Sequence, residues 1–513
     1  MRSAGKVYLV GAGPGDPELI TARGLRRLRE ADIVLYDALV HPDQLNAARQ
    51  DAELIFVGKR AGRASQRQAE INRQLAQAAR DGKIVVRLKG GDPYLFGRGS
   101  EEAELLAAEG IPFEVVPGVP SPLAATAYAG LSLTHRELAS SVAYITATES
   151  VEKDRTDHDW SKLATATQTL VIFMGMRKLD SLMKLLIEHG RPADTPVAVV
   201  QWASLPKQRT VVGTLADIHE RAAEAGLGLP ALTIVGEVVR LRRNLRWFDS
   251  KPLFGKRILV TRAVEQAGSL ATLLRDEGAQ PLLAPTIRIA PPLDPGPLRD
   301  AVTHLDCYDW ILFTSTNSVQ ALFTFLSDAN LDLRALAKAK VCAIGVKTRD
   351  ALLAQGLRPD LVPEDARAEG VIAALRPQLR PRTRILLPRA EVAREILPDS
   401  LRDAGAEVDV VTAYRNLPPE PREVGRIRSL VDPGECDCVL FTSSSTVQNL
   451  VDLLDEGARK RLNSLDLFSI GPITTQTAER LGLRIAATSA EQTIEALVET
   501  LRAYYAPEQD ADA

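Results

Sequence analysis

Residues 7–21 read VYLVGAGPGDPELIT, an apolar strand that runs straight into a glycine-rich turn. A dinucleotide-binding turn needs a third glycine where this chain has Asp16, and the G-K-[ST] of a P-loop is missing as well. In the turn that is present, Pro14 fixes one φ angle, while Gly13 and Gly15 permit a close approach to the backbone. The stretch therefore predicts a strand–turn–helix unit whose ligand need not be a nucleotide phosphate.

Two further turns of this kind follow along the chain. Residues 85–99 read VVRLKGGDPYLFGRG, with the adjacent glycines Gly90 and Gly91 before Asp92, and residues 115–130 read VVPGVPSPLAATAYAG. Each turn follows an apolar strand, has little side-chain bulk and precedes a helical pattern. One such turn means little, but three close together predict a binding trough lined by backbone.

The chain is too long for a single domain, since it has 513 residues and single cores stop growing near ~250–300 residues. An apolar, strand-like run ends at Val239, and a polar segment with Pro252 and Gly255 separates it from the strand that starts at Arg257. This pattern places a domain boundary near residue 250. Both halves alternate strands with helical patterns, which is typical of parallel α/β sheets.

The second half contains an internal repeat. Residues 256–263 (KRILVTRA) return as 383–390 (TRILLPRA), 309–323 (DWILFTSTNSVQALF) return as 437–451 (DCVLFTSSSTVQNLV), and 339–357 (AKVCAIGVKTRDALLAQGL) return as 465–483 (LDLFSIGPITTQTAERLGL). The three segments recur in the same order at an offset of 126 to 128 residues. Solenoid repeats have much shorter periods, of about 20 to 50 residues, so the sequence predicts two similar α/β domains.

Each repeat ends a strand at a turn rich in hydroxyl groups. The turns contain Thr314, Ser315 and Asn317 in the first copy and Thr442, Ser443, Ser444 and Thr446 in the second. Serine and threonine at such positions cap the helix that follows. Parallel sheets also bind ligands beyond the carboxyl ends of their strands, where helix N-termini offer N–H groups to anions. Two such turns facing each other would suit a flexible polyanion.

The composition excludes several classes of protein. Hydrophobic residues make up 45% of the chain, charged residues make up 25%, and the mean hydropathy is −0.06, which excludes a disordered, collagen-like or coiled-coil chain. A net charge of −3 argues against a dedicated nucleic-acid binder. Arginine outnumbers lysine 48 to 15, which either codon usage or an anionic ligand would explain.

The cysteines and apolar runs indicate a compartment. Cys307, Cys342, Cys436 and Cys438 form no C-x-x-C pair, so neither a metal site nor a disulfide framework is predicted. No apolar run approaches the ~18 residues of a membrane span, and the amino terminus lacks a signal-peptide pattern. We therefore expect a cytoplasmic protein without membrane or nucleic-acid partners.

The motifs of the first half resemble those of uroporphyrinogen-III C-methyltransferase. They are VGAGPGD, the YD of ADIVLYDALV, VGKR, GGDPYLFGRG, PGV, LTHR and TLVIFMGM, and the resemblance runs from Lys6 to about residue 245. That family binds S-adenosyl-L-methionine between two α/β domains. The resemblance implies the same cofactor here, near Pro14, Gly90, Gly91, Asp92, Leu95, Pro120, Ser121, Met174 and Ala203. A carboxylate such as that of Asp92 can pair with the cofactor's amino group or ribose.

The same resemblance implies catalytic and substrate-binding residues. An electron-rich pyrrole carbon is methylated and a pyrrole N–H proton must leave, so a general base is useful. Asp37 and Lys59 align with the family's proposed proton acceptor and donor. The substrate carries eight carboxylates, and the residues expected to bind them are Arg98, Thr134, His135 and Arg136.

The chain departs from the family pattern in a few places. Members often read T-G-H-E where this chain reads ITATES, so Ala147 and Thr148 replace glycine and histidine, and a role for that histidine is in doubt here. Pro120, Ser121 and Ala203 also differ from the common residues. They would contribute mainly backbone groups to the cofactor site.

The second half resembles uroporphyrinogen-III synthase from about residue 255 to 503. The resemblance rests on TR at 261–262, FTSTNSV, AIGVKTR, LPRAE, AYR and the second FTSS. It implies closure of hydroxymethylbilane to uroporphyrinogen III, with Tyr414 assisting loss of the leaving hydroxyl because a phenol donates and accepts hydrogen bonds. The residues implied to line the cleft and hold carboxylates are Thr261, Arg262, Thr314, Ser315, Asn317, Thr348, Arg389, Thr442, Ser443 and Thr474.

The resemblances also imply a domain layout. Residues 1–245 would form a two-domain methyltransferase and 246–256 a linker. The synthase would occupy 257–505 as two interleaved domains, one from 257–290 plus 417–505 and the other from 291–416. From its acidic composition we expect residues 506–513 to be a disordered tail. We expect a homodimer through the methyltransferase half.

The leading interpretation is a bifunctional enzyme that makes uroporphyrinogen III and methylates it twice to precorrin-2, without a metal. One alternative keeps the methyltransferase but makes the second half a non-catalytic ligand-binding module, which the retained Tyr414 and hydroxyl turns disfavour. Another gives the first half a different substrate, such as a later corrin ring, a ribosomal RNA nucleoside or diphthamide. The LTHR motif and the fused second half argue against that alternative.

Overall fold

The structure is a computed structural model, and it describes residues 5–58, 68–147, 158–262, 264–393 and 395–506, with the side chains of 264–267 left aside. The chain divides into two compact units. The first comprises Met1–Ile258, Thr272–Pro281 and Leu501–Ala513, and the second comprises Leu259–Ala271 and Leu282–Thr500. None of the helices formed by the described residues is long and apolar enough to cross a membrane.

The first sheet is parallel throughout and has both faces buried. Its strands are β1 Lys6–Gly11, β2 Ile33–Tyr36, β3 Glu53–Phe56, β4 Ile84–Lys89 and β5 Phe113–Val116, in the order β3-β2-β4-β1-β5. In β1, Val7 and Leu9 pack into the core on one face, while Tyr8 and Val10 pack on the other. Burial on both faces explains the nearly continuous apolar strands of the sequence.

The second sheet corrects the expectation of parallel sheets. Its strands are β6 Val142–Thr146, β7 Thr169–Phe173, β8 Pro196–Gln201, β9 Arg209–Thr214 and β10 Ala231–Val235, in the order β6-β7-β10-β8-β9. Only β6 and β7 pair in parallel, because β10 lies antiparallel between β7 and β8, and β8 and β9 form a hairpin. A short connection without a helix permits that hairpin.

Helices follow most of these strands. They are α1 Ala22–Glu30, α2 Pro42–Leu45, α3 Gln68–Arg80, α4 Gly99–Ala108, α5 Ser121–Ala129, α6 Trp160–Ala166, α7 Leu179–Glu188, α8 Ile218–Glu224 and α9 Arg242–Leu245, with 3₁₀ turns at Pro17–Leu19, Met176–Lys178 and Glu237–Leu241. Helix α5 has Pro122 in its first turn, and it is followed by Gly130, whose φ of 67° is left-handed. Proline near a helix start and glycine just past its end are common helix boundaries.

The strands of the second half form two more sheets. They are β11 Arg257–Val260, β12 Gln280–Leu283, β13 Arg288–Ala290, β14 Trp310–Phe313, β15 Lys340–Ala343, β16 Arg384–Ala390, β17 Glu407–Leu417, β18 Cys438–Phe441, β19 Asp466–Ser469 and β20 Ala487–Thr488. One sheet has the order β12-β11-β18-β19-β20 and the other β13-β17-β16-β14-β15. The chain thus leaves the first of these sheets after β12 and returns to it at β18. The domain boundaries themselves stay a prediction.

The helices of the second half cover these sheets. They are α10 Val264–Asp276, α11 Gly296–Thr303, α12 Thr316–Asp328, α13 Val346–Ala354, α14 Ala368–Leu375, α15 Ile396–Asp403, α16 Pro421–Leu430, α17 Ser444–Leu453, α18 Glu456–Leu462, α19 Pro472–Arg480 and α20 Ile494–Tyr505, with 3₁₀ turns at Leu305–Cys307, Leu333–Leu336 and Arg376–Gln378. The repeated sequences form the same elements, because β14–α12–β15–α13 is matched by β18–α17–β19–α19. The predicted α/β class is confirmed for both halves.

The three glycine turns of the first half meet at the carboxyl ends of their strands. A Cβ atom added to Gly11 would lie 2.5 Å from the Gly118 Cα atom, and one added to Gly118 would lie 2.3 Å from the Gly91 carbonyl oxygen. The Gly91 N–H donates to the Gly13 carbonyl (2.7 Å), and the Gly13 N–H donates to the Gly91 carbonyl (3.2 Å). Only glycine allows backbones to lie this close. We call Gly11, Gly13, Gly91 and Gly118 the glycine crossing.

Replacement of Gly118 by alanine should destabilise the first unit. The new methyl group has no space against the Gly91 carbonyl, and such overpacking costs about 2 kcal/mol of unfolding free energy. Urea denaturation followed by tryptophan fluorescence measures this loss, since Trp160, Trp202 and Trp247 lie in the first unit. Gly425→Ala is the matched control, because Gly425 lies within α16 with nothing within 4 Å of an added Cβ. An unchanged urea midpoint for Gly118→Ala would contradict the crossing.

Candidate functional sites

The glycine crossing forms one wall of a candidate cofactor site. Among the described residues, only the Ser121 amide nitrogen would lie within 4 Å of a Cβ atom added to Gly91, at 3.8 Å, so these residues leave the space above Gly91 open toward the start of α5. Gly90 packs against Leu39, whose Cβ would lie 3.0 Å from an added Cβ. Pro120 is the N-cap residue of α5. The structure therefore brings the predicted residues Gly90, Gly91, Pro120 and Ser121 together.

Asp92 has a role that the sequence did not indicate. Its Oδ2 accepts a hydrogen bond from the Gly118 N–H (3.0 Å), and its Oδ1 accepts one from the Tyr94 N–H (2.8 Å). The carboxylate thereby holds the third glycine turn against the second. Its predicted pairing with the cofactor stays a prediction, and its remaining lone pairs leave room for that pairing.

Backbone strain marks the same region. Met174 has a φ of 54°, Trp202 of 51° and Ser204 of 66°, all in the left-handed region that larger residues avoid. Met174 is exposed directly after β7, and Ala203 lies between the other two strained residues. A Cβ atom on Gly15 would lie 2.8 Å from the Ala203 carbonyl oxygen, so the turn that contains Pro14 lies beside Ala203. Such strain clusters at ligand sites.

Two more strained residues flank the second glycine turn. Phe96 has a φ of 53° and Arg98 of 58°, on either side of Gly97 and next to the predicted Leu95. The guanidinium of Arg98 is exposed and donates to both carboxylate oxygens of Glu101, at 2.9 and 2.6 Å. Arg98 is therefore a paired surface arginine in this structure, and its predicted role with substrate stays a prediction.

The predicted substrate residues of the LTHR motif lie on the surface. Thr134 and Arg136 are exposed, and His135 is half-buried. The Nδ1 atom of His135 accepts from the Glu137 N–H (3.2 Å), while the Thr134 carbonyl accepts from Ser132 Oγ (2.5 Å). Exposed side chains at a tight turn can contact a large substrate, but no contact in the structure assigns them that role.

Asp37 lies just beyond the carboxyl end of β2, where a buried arginine holds it. The Arg87 guanidinium donates to Asp37 Oδ1 (2.6 Å), and its Nε donates to Glu102 Oε1 (3.1 Å). Asp37 is partly exposed, whereas Arg87 is buried. The carboxylate predicted to accept a proton therefore has a fixed orientation and an open side. Lys59, its predicted partner in catalysis, lies outside the described residues, and so does Thr148.

A second cation shares the buried carboxylate. Lys89 Nζ donates to Glu102 Oε1 (3.0 Å), and Gln68 Nε2 donates to the same oxygen (3.0 Å). Glu102 is 0% exposed, and its other oxygen finds no hydrogen-bond partner among the described residues. Burial, followed by the charge of Arg87, lowers the pKa of Lys89. The cluster of Arg87, Lys89 and Glu102 thus sets the position of β4 against α4 and of Asp37 against both.

The second candidate site contains Tyr414 and Ser315. Tyr414 is buried in β17, and its hydroxyl lies 3.1 Å from Ser315 Oγ. Ser315 is the N-cap of α12 and accepts from the Ser318 N–H (3.1 Å). Thr314 and Asn317 are half-buried on the same turn. The two residues that the sequence placed 99 positions apart are therefore in hydrogen-bonding contact.

The second copy of the turn has the predicted cap as well. Ser443 is the N-cap of α17 and accepts from the Thr446 N–H (3.3 Å), and Thr446 Oγ1 accepts in return from the Ser443 N–H (3.2 Å). Thr442 is half-buried beside it. The expectation that Ser and Thr cap both helices is confirmed at Ser315 and Ser443.

Three of the predicted cleft residues have buried side chains in the structure. Thr261 is 0% exposed, and its Oγ1 donates to the Leu440 carbonyl (2.9 Å). Thr348 and Thr474 are 4% and 5% exposed, within the first turns of α13 and α19. Their predicted roles with substrate stay predictions. Thr348 and Thr474 occupy equivalent positions in the repeat, which explains why both are buried.

Three cationic residues of the second half, Arg262, Lys347 and Arg389, are candidates for binding substrate carboxylates. Arg389 is paired with Glu395. Burial lowers the pKa of Arg262. Burial also lowers the pKa of Lys347, and the nearby charge of Arg262 lowers it further. Two cations close enough to repel each other suit a carboxylate ligand. Lys347, the neighbour of the predicted Thr348, was not among the predicted residues, although its place at the start of a helix after a glycine was a usable signal.

Comparison with known proteins assigns a family to each half. The model for tetrapyrrole (corrin/porphyrin) methylases matches residues 6–219, and the model for uroporphyrinogen-III synthase HemD matches residues 268–499. The glycine crossing and Asp37 lie in the first range, and Tyr414 and Ser315 lie in the second. The two resemblances seen in the sequence are confirmed.

Relatives match the chain across both halves. A porphyrin biosynthesis protein HemD of Ruminiclostridium josui is 37% identical over 97% of this chain and 97% of its own length. A uroporphyrinogen-III C-methyltransferase of Bacillus subtilis is 39% identical over 72% of this chain and 76% of its own length. A siroheme synthase of Azotobacter vinelandii is 50% identical over 49% of this chain, which spans 53% of that relative.

Solved structures similar to each half come from Thermus thermophilus. A uroporphyrin III C-methyl transferase is 42% identical over 46% of this chain and 94% of its own chain, with a TM-score of 0.40. A mutant uroporphyrinogen III synthase is 24% identical over 48% of this chain and 98% of its own, with a TM-score of 0.36.

The buried carboxylate of Glu102 should be essential to stability. Glu102→Gln removes the carboxylate that Arg87 and Lys89 share at hydrogen-bonding distance, and breaking a buried ion pair costs about 3 kcal/mol. The adjacent Glu101→Gln is the matched control, because Glu101 is exposed and pairs with Arg98 at the surface, where such pairs contribute about 0.5 kcal/mol. Urea denaturation measures both. Equal losses for the two variants would show that the cluster contributes no more than a surface pair.

Proposed function

Because the chain belongs to the tetrapyrrole methylase family in its first half and to the uroporphyrinogen-III synthase family in its second, we propose that it is a bifunctional enzyme of tetrapyrrole biosynthesis. The second half cyclises hydroxymethylbilane to uroporphyrinogen III and inverts the last ring. The first half methylates uroporphyrinogen III twice, at C2 and C7, with S-adenosyl-L-methionine to give precorrin-2.

One observation carries this proposal. A relative named for porphyrin biosynthesis matches 97% of the chain at 37% identity, so the two halves are found together in one other polypeptide. The two family matches also coincide with the two candidate sites. The product of the second half is the substrate of the first, which gives a chemical reason for the fusion.

The residues of the first half fit S-adenosyl-L-methionine. The backbone at Gly91 is open, the amino-terminal end of the nine-residue helix α5 faces it, and a carboxylate is favourable at such an end. The methionine and adenosine groups would be held by Pro14, Gly90, Gly91, Asp92, Leu95, Pro120, Ser121, Met174 and Ala203. When bound, the cofactor supplies an electrophilic methyl group.

The side chains of the first half would then act on the pyrrole substrate. Asp37 accepts the pyrrole N–H proton that leaves as the ring carbon is methylated, and Arg87 keeps its carboxylate oriented. Lys59 would serve as the proton donor. The substrate carboxylates would be bound by Arg98, Thr134, His135 and Arg136. Holding the reacting groups in place can itself offset about 7 to 11 kcal/mol of the barrier.

Cyclisation by the second half depends more on holding hydroxymethylbilane in one conformation than on a strong acid. Tyr414 donates a hydrogen bond to the hydroxyl group that leaves hydroxymethylbilane, and Ser315 fixes the direction of the phenol. The carboxylates would be held by Arg262 and Lys347 together with the helix starts at Thr314, Ser315, Asn317, Thr442 and Ser443. Arg389 contributes once its pairing with Glu395 is exchanged for substrate.

We also propose a cytoplasmic homodimer that associates through the methyltransferase half. The cysteines of the chain are thiols, as is usual in a reducing compartment. The dimer rests on the family resemblance of the first half. Sedimentation of the full chain tests it, since a monomeric mass would contradict the dimer.

The function is tested with purified full chain and hydroxymethylbilane, with and without S-adenosyl-L-methionine. Uroporphyrinogen III should form in both cases, and a dimethylated product should form only with the cofactor. A product mixture that contains only the uncatalysed type I isomer would refute the synthase activity.

Replacement of Tyr414 by phenylalanine should slow cyclisation about tenfold or more, since general acid assistance typically contributes at least ~100-fold when complete. The phenyl ring keeps the packing of β17 and removes only the hydroxyl that contacts Ser315. Product analysis by chromatography measures the rate. Methylation of added uroporphyrinogen III should be unchanged, and its loss would contradict the assignment of the two activities to separate halves.

Replacement of Asp37 by asparagine should lower kcat for methylation by about 100-fold or more, because a general base contributes about 10² to 10⁴. The KM for S-adenosyl-L-methionine should change little, since Asp37 acts on the substrate proton. Asp51→Asn is the matched control, as Asp51 is exposed and pairs with Arg49. A raised KM with an unchanged kcat would contradict the role of Asp37 as a base.

A further inference from the structure

A closed ring of hydrogen bonds links three segments of the first unit. The Tyr128 hydroxyl donates to Asp16 Oδ2 (2.8 Å), and the Asp16 N–H donates to Ser204 Oγ (3.0 Å). The Ser204 N–H donates to Gln208 Oε1 (2.9 Å), and Gln208 Nε2 donates to the Tyr128 carbonyl (3.1 Å). We call these four residues the Asp16–Tyr128 ring.

The Asp16–Tyr128 ring is partly buried, since Asp16 and Tyr128 are half-buried. Ser204 and Gln208 are each 3% exposed. The aromatic rings of Trp247 and Phe248 lie 5.3 Å and 4.7 Å from that of Tyr128, centroid to centroid. Burial, followed by the charge of Asp16, raises the pKa of Tyr128. The phenol therefore keeps its proton and remains the donor to Asp16.

Two residues of this ring, Asp16 and Ser204, lie in segments that are expected to contact the cofactor. Asp16 ends the turn that contains Pro14, and Ser204 follows Ala203. Gly15 touches the Ala203 carbonyl, so the two segments already meet through their backbones. The strained φ angles of Trp202 and Ser204 need support from surrounding contacts, and the hydrogen bonds from Asp16 and to Gln208 supply it.

We propose that Tyr128 is a positioning residue of the methyltransferase site, which acts through Asp16 and Ser204 to hold the Pro14 turn and the Ala203 loop in the geometry that binds S-adenosyl-L-methionine. The inference rests on the proposed methyltransferase function. Tyr128 itself touches neither substrate nor cofactor. Its contribution is preorganisation, which improves affinity because the loops need not be ordered when the cofactor binds.

Removal of the Tyr128 hydroxyl is the direct test. In the full chain, Tyr128→Phe keeps the contacts with Trp247 and Phe248 and removes the donor to Asp16 Oδ2, while Asp16 Oδ1 still accepts from the Glu18 N–H. We expect the Kd for S-adenosyl-L-methionine, measured by titration calorimetry, to rise about tenfold, the change expected when a hydrogen bond to a charged group is lost. The KM for the cofactor should rise in parallel, while kcat at saturating cofactor stays within about twofold.

The matched control is Tyr308→Phe. The Tyr308 hydroxyl also donates to a carboxylate, at 2.9 Å from Asp409 Oδ2, but it lies in the other compact unit. This variant should bind S-adenosyl-L-methionine as the unaltered chain does. Ser204→Ala removes the acceptor for the Asp16 N–H and should weaken binding in the same way. In the double variant of Tyr128 and Ser204, the Kd for S-adenosyl-L-methionine should rise by less than the product of the two single increases, because both side chains act through Asp16.

The outcomes separate this inference from the proposed function. If the unaltered chain binds the cofactor and both Tyr128→Phe and Ser204→Ala bind it equally well, the inference is wrong and the function stands. If the unaltered chain does not bind S-adenosyl-L-methionine at all, both are wrong. If Tyr128→Phe does not fold, Ser204→Ala decides. A fall in kcat without a change in KM would also overturn the positioning role.

Discussion

The first half of the structure depends on the close approach of three backbone turns. A Cβ atom added to Gly11 would collide with the main chain of Gly118, and one added to Gly118 would collide with the main chain of Gly91. This contact fixes the carboxyl ends of β1, β4 and β5 together, and it leaves the open backbone at Gly91 facing the start of α5. The Asp92 carboxylate, the Glu102 cluster and the Asp16–Tyr128 ring each hold one of the surrounding segments in register with that contact.

The two candidate sites solve different chemical problems. We propose that the first binds its cofactor with backbone groups, and it positions one carboxylate, Asp37, on a buried arginine. The second places a phenol, Tyr414, against Ser315, the hydroxyl cap of a helix. Methylation needs an oriented base, whereas cyclisation needs a polyanionic chain held in one conformation. Each half has what its reaction requires, and the product of one is the substrate of the other.

Local features were predictable from the sequence, and distant contacts were not. The glycine turns, the α/β class and the caps at Ser315 and Ser443 follow from short-range chemistry. The antiparallel pairing of β10 between β7 and β8 does not, because these strands begin about 60 and about 35 residues before β10 and no local signal marks the pairing. Thr261 resembles its polar neighbours in sequence, yet β18 buries it against Leu440. In the sequence, Glu102 resembles an ordinary surface residue of a helix, because nothing local indicates its buried ion pairs with Arg87 and Lys89.

The central claim is that the backbone of the glycine turns holds S-adenosyl-L-methionine. Hydrogen–deuterium exchange of the full chain, with and without saturating cofactor, tests it most directly. Amides within residues 11–16, 90–95, 118–121 and 202–204 should become protected when the cofactor binds, while those within 314–348 and 442–474 should not change. Protection confined to the second half, or no protection at 90–95 and 118–121 despite binding, would contradict the claim.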